Sequence, residues 1–181
     1  MKTSLLFSFL LLCFTSYAQP QWGASLNMLF GAGEAAYADP PDGYADMSSA
    51  VMLNGNVGFP WGDWLLGGGY FHAVPGIDVG GFDASFIELG FFLGPNFEIA
   101  DDHELRVTAE IGFRQWFSSD QDNMSALGTN LLGTFIINKD NKISPAINLG
   151  FNAQPAGGND DVFFSHSPQM FIGGGIIIHP D

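Results

Sequence analysis

Four charged residues carry the best case for chemistry in this sequence: Glu88, Arg106, Glu110 and Arg114. The last three are spaced by four, and Glu88 precedes them by an even number of residues. Side chains alternate between the two faces of a strand, so even spacing places all four on one face if the segments are extended. The residues between them are Leu105, Val107, Ala109, Ile111 and Phe113, an uninterrupted apolar face. A strand with both signs of charge on one side and hydrocarbon on the other calls for two different solvents. A turn centred on Asp101 would set Glu88 opposite Arg114 and Phe97 opposite Leu105, which predicts a cross-strand ion pair. The same parity turns Asn54, Asn56 and Asn148 toward the charged side. Such a network fills a space and fixes register, or it forms a gate that rearranges to pass small ions. Removing one member of a buried pair costs about 3–5 kcal/mol.

A second cluster, Ser165-His166-Ser167, sets a possible base beside two possible nucleophiles. No acid is placed to orient His166, so nucleophile, base and orienting group are not all in hand. His72 and His103 stand singly, without metal-ligand spacing. Gly67-Gly68-Gly69 and Gly173-Gly174-Gly175 precede no helix and form no phosphate loop. Asp120-Gln121-Asp122-Asn123 offers hard oxygen ligands without the spacing of a calcium loop. No catalytic residue, metal or cofactor is assigned.

The elements that must position these residues are strands. Alternating apolar and polar stretches fall at about 21–31, 49–59, 64–73, 84–97, 104–117, 126–138, 142–153 and 169–178. The fold class is all-β, an eight-stranded antiparallel up-and-down barrel spanning a membrane, with lipid outside and polar side chains within. The predicted connections alternate in length: long at 32–48, 74–83, 118–125 and 154–168, short at 60–63, 99–103 and 139–141. Short periplasmic turns and long external loops are usual for such barrels, which orients this one. Trp22, Trp61, Trp64 and Trp116 are expected at the membrane interfaces, where an amphipathic ring sits well.

The ends and the charge agree. Lys2, the apolar run Leu5 to Phe14 and Ser16-Tyr17-Ala18 read as a signal peptide, 1–18, cleaved before a barrel domain at 19–181. Cys13 is the single cysteine and leaves with the signal, so the exported domain has no disulfide. The chain has 5 basic and 19 acidic residues and a formal charge of −14, which excludes nucleic-acid binding by a basic surface. Glu34, Asp39, Asp42, Asp46, Asp78, Asp83, Asp120, Asp122, Asp160 and Asp161 fall in the expected external loops, with no Lys or Arg among them.

These strands, loops and signal resemble the small eight-stranded outer-membrane barrels of the OmpX and OmpA-transmembrane type, and the Ala18-Gln19 region resembles signals of Bacteroidetes-type bacteria. The resemblance implies a monomer in the bacterial outer membrane, with membrane lipid, lipopolysaccharide and the barrel assembly machinery as partners. Gly173, Ile176 and Ile178 fit the spacing of the family's last strand; the chain then ends His179-Pro180-Asp181 where the family has an aromatic. Some eight-stranded barrels modify lipid A with a His and a Ser, but Pro168 stands here where that motif wants its serine. The expected function is non-enzymatic: a structural, surface-interaction or adhesion role through the acidic loops. The alternatives are a narrow ion pore gated by the charge network and a lipid A-modifying enzyme.

Overall fold

The computed structural model describes residues 19–31, 34–38, 43–118, 123–158 and 163–179; the expected signal peptide lies outside them. Ten strands follow in order: β1 (Gln21–Leu29), β2 (Glu34–Ala38), β3 (Gly43–Asp46), β4 (Ala50–Trp61), β5 (Leu65–Val79), β6 (Phe82–Ala100), β7 (His103–Ser118), β8 (Met124–Ile137), β9 (Ile143–Gly158) and β10 (Phe163–Ile178). Eight of them, β1 and β4 to β10, pair antiparallel with their neighbours, and β1 pairs β10 to close the cylinder. Closure removes every sheet edge within the barrel, as a lipid environment demands.

The side-chain pattern is inside out. On β7, Glu104, Arg106, Thr108, Glu110 and Arg114 are buried, while Ile111 and Phe113 are 53% and 60% exposed. Leu26, Leu53, Leu89, Leu131, Ile147 and Ile172 are likewise exposed on six other strands. Among the described residues no helix is long and apolar enough to cross a membrane, and the crossing is made by strands. Outward residues Leu105 to Phe113 span eight steps of about 3.4 Å, which at a tilt of about 40° gives about 21 Å of height. This matches an apolar band of about 25 Å. Above it, outward Gln115 bonds Ser125 and the Met124 carbonyl, marking the polar limit of the belt.

Paired leucines and glycine runs, which carry no alternation of their own, follow the same rule. Leu66 and Leu132 turn inward and Leu131 outward. Gly67–Gly69 and Gly173–Gly175 are ordinary strand, registered against β4, β6, β1 and β9.

The expected loops need three corrections. The 74–83 loop is instead a continuation of β5 and β6, with a bulge at Pro75-Gly76 and a turn at Gly80-Gly81. Both glycines have positive φ, 62° and 93°, the geometry of a two-residue hairpin turn. The regular alternation of long and short connections therefore fails there. The 32–48 segment contains the β2–β3 hairpin, with β2 pairing the outer end of β10. The 154–168 segment is mostly strand, since β9 runs to Gly158 and β10 begins at Phe163. In all three cases the wall continues beyond the lipid belt, where alternation of hydrophobicity stops being required.

Candidate functional site

Parity on β6 and β7 delivers Glu88 and Arg114 to the same point in the lumen, in direct register. Both side chains are fully buried. Arg114 Nε donates to Glu88 Oε2 at 2.6 Å, and Nη2 adds an ion-pair contact at 2.5 Å without hydrogen-bond alignment. The other carboxylate oxygen accepts from the Tyr70 hydroxyl and, at 2.9 Å, from Asn130 Nδ2. Arg114 Nη1 lies 2.7 Å from His166 Nε2, while His166 Nδ1 sits 2.9 Å from the Ser167 carbonyl. A carbonyl needs a donor and a guanidinium needs an acceptor, so the imidazole carries its proton on Nδ1. The Phe86 ring lies 4.2 Å from the guanidinium carbon.

The expected inward residues do not form one continuous cluster. Glu110 does not touch Arg114 but joins the pair through Asn130, which bonds both Glu110 and Glu88, and its Oε2 lies 3.5 Å from His72 Nε2. Arg106 lies at the end of the barrel that carries the turns at Gly62 and Asp101, where it donates to Glu104 and Gln21, both at 2.5 Å. Asn148 accepts from Thr134 at 3.0 Å and donates to Asn27 at 3.2 Å. Asn54 is buried beside these groups, registered between Ser25 and His72. Asn56 is half-buried and occupies the space above Gly23.

Tyr70, His72, Asn130, Gln154 and His166 belong to the lumen and were not singled out for it by the sequence. For His72 the signal was available: it shares parity with Leu66 and Tyr70, opposite to lipid-facing Phe71. Several glycines are sockets for these large groups. A Cβ on Gly128 would overlap the Glu88 carboxylate, and one on Gly112 the Tyr70 hydroxyl.

Trp116 is a correction. It was expected at a membrane interface, but it is 2% exposed inside the barrel, donating to Gln154 Oε1 at 2.6 Å and packing on Phe86 at 4.8 Å. Its parity is that of Arg114, so the face rule outranks the aromatic-girdle rule. Trp22, Trp61 and Trp64 do point outward at the opposite end of the barrel, 55%, 44% and 65% exposed. Trp116 joins Leu29, Met52, Val74, Phe86 and Phe171 in an apolar plug, on the side of the Glu88–Arg114 pair toward the Gly80-Gly81 turn. Below it, voids beside Arg106 and Asn148 measure about 20 and 10 Å³, room for about one water each.

At the rim beside β3 and the Gly80-Gly81 turn, Asp46, Asp78 and Asp83 are exposed. Of the other acids expected there, Glu34 places its backbone in β2, and Asp39, Asp42, Asp120, Asp122, Asp160 and Asp161 lie outside the described residues. Among the described residues no group of three His, Cys, Asp or Glu could hold a metal ion.

An apolar belt around a packed polar lumen defines a transmembrane β-barrel of the small eight-stranded kind. The fold is similar to that of solved structures, among them these two. The outer membrane protein OprG from Pseudomonas aeruginosa superposes with a TM-score of 0.61 at 11% identity, over 90% of this chain and 97% of that one. Neisserial surface protein A superposes with a TM-score of 0.58 at 9% identity, over 88% and 97%. No family model matches the sequence, and no curated relative matches it.

Proposed function

We propose that the chain is an exported barrel of the bacterial outer membrane that performs no chemistry and presents an acidic external surface to cationic partners. One observation carries this reading. Arg114 is the single basic residue in the external half of the sequence pattern, and it is fully buried against Glu88. The exposed charges of the described rim are therefore carboxylates. An unneutralised acidic rim attracts cationic surfaces, and divalent ions can bridge it to anionic lipopolysaccharide. The pore reading is disfavoured by the apolar plug, and the enzyme reading by the engagement of His166 Nε2 with Arg114. OprG and Neisserial surface protein A, as outer-membrane and surface proteins by name, support the location.

The test is adsorption of the reconstituted barrel to cationic and anionic supported bilayers across a salt series. Binding to the cationic surface that fades with salt, and weakens in an Asp46→Asn, Asp78→Asn, Asp83→Asn variant, is expected. Equal binding to both surfaces, unmoved by salt, overturns the reading.

A further inference from the structure

The lipid-facing wall is not uniformly covered. On β4, β5 and β6 it carries an open hollow of about 370 Å³, lined by Gly55, Val57, Gly69, Phe71, Leu89 and Phe91. Asn56 and Tyr70 also border it, but the Tyr70 hydroxyl bonds Glu88 within the lumen and Asn56 fills the space over Gly23. The lining on the outer side is hydrocarbon. Leu89 and Phe91 stand out from the wall as its raised side, 60% and 73% exposed.

Its floor is made by two glycines that the fold does not require. Neither Gly55 nor Gly69 has a positive φ. A Cβ on Gly55 would find its nearest atom 4.0 Å away, and one on Gly69 at 3.7 Å, ordinary van der Waals distances. Their neighbours differ: a Cβ on Gly68 or Gly90 would overlap the backbone of the adjoining strand. Glycine weakens a strand, so two that no internal contact demands leave a hollow facing outward.

Depth decides the occupant. Gly69 registers with Phe91, which registers with Ile111, within the Leu105–Phe113 belt. Five residues of tilted strand separate Gly69 from Trp64 of the tryptophan girdle, about 13 Å of height. That is close to half of a hydrocarbon core of about 30 Å, beyond the reach of headgroups and water. A hollow there leaves wall atoms without dispersion partners unless a chain enters it. We propose that this slot is a discrete binding site for the end of a membrane-lipid acyl chain, held against Gly55 and Gly69 and flanked by Phe91.

The full chain would be reconstituted in dioleoylphosphatidylcholine vesicles with a photoactivatable benzophenone residue at position 91, or at position 147 on another part of the belt. Several-fold more lipid adduct at 91 than at 147 is expected, with a sharp loss when Gly55→Leu and Gly69→Leu fill the hollow. Gly133→Leu, at an outward glycine whose Cβ would also sit at contact distance, 3.5 Å from Leu149, controls for added bulk and is expected to change nothing. Equal adducts at 91 and 147 in the otherwise native chain overturn the site, whether or not the leucine variants fold. Cross-linked barrel dimers at 91 overturn it in favour of a second copy of the chain.

Discussion

Arg114 and His166 meet across the barrel lumen, with Nη1 of the arginine on β7 2.7 Å from Nε2 of the histidine on β10. The contact takes the one ring nitrogen able to act as a base, since Nδ1 faces the Ser167 carbonyl at 2.9 Å. His166→Ala is therefore expected to remove a structural acceptor and leave no change in chemistry. Leaving a buried donor unsatisfied costs about 1–3 kcal/mol. Urea titration of the folded band in heat-modifiable gels reads that loss. Hydrolysis of lipid A by the wild-type chain, abolished in this variant, would contradict the assignment.

The Glu88–Arg114 pair is held by Tyr70, Asn130 and His166 as well as by its own attraction. Glu88→Ala and Arg114→Ala should each lower stability by about 3–5 kcal/mol, because each strands a buried charge. The double variant should lose less than the two losses combined, as expected for groups in contact. A double-mutant cycle measured by urea titration checks this; simple additivity would mean that the two do not act as a pair.

Two glycines on β8 face opposite ways. A Cβ on Gly128 would overlap the Glu88 carboxylate, while one on Gly133 meets Leu149 at 3.5 Å. Gly128→Val should cost several kcal/mol by displacing the ion pair, whereas Gly133→Val should fall within about 1 kcal/mol, the span of strand propensities. Matched urea melts decide it, and equal losses would remove the socket role of Gly128.

These glycines also show where legibility in the sequence ended. The β6–β7 register followed from a turn near Asp101, and Glu88 does pair with Arg114. That inference worked because hydrocarbon outside and charge inside leave a one-residue slip no tolerable alternative. Trp116 was misplaced because its aromatic type was weighed above its parity. Gly128, having no side chain, revealed nothing of the carboxylate seated on it from two strands away. The 74–83 stretch reads as one loop because Pro75-Gly76 and Gly80-Gly81 both look like turns, whereas β5 absorbs the first as a bulge and only the second turns the chain. His166 looked like a reactive triplet in sequence; only the closed cylinder brings it to Arg114.

At the barrel mouth beside Arg106, burial, with the guanidinium second, holds the His179 imidazole below its ordinary value. The unfolded chain, near 6.5, then binds more protons than the folded one on acidification. The stabilisation is present above about pH 6.5 and is lost as pH falls through the folded value. An NMR titration of His179 in micelles should give a midpoint below 6.5, and Arg106→Gln should raise it. A midpoint above 6.5 would reverse the sign.

Conduction is the sharpest consequence of how the lumen is filled. A path for ions through the Glu88–Arg114 pair must also pass Phe86 and Trp116, which lie two residues further out on the same strands and are 1% and 2% exposed. These belong to an apolar plug, so freeing the charges beneath would still leave that barrier above them. Planar bilayers holding the wild-type barrel are expected to show no stepwise current, and Glu88→Ala is expected to stay equally silent. Current in the variant alone would mean that the pair, and not the plug, closes the barrel. Current in the wild type would mean that the plug opens in a membrane, and the charge network would then be a gate.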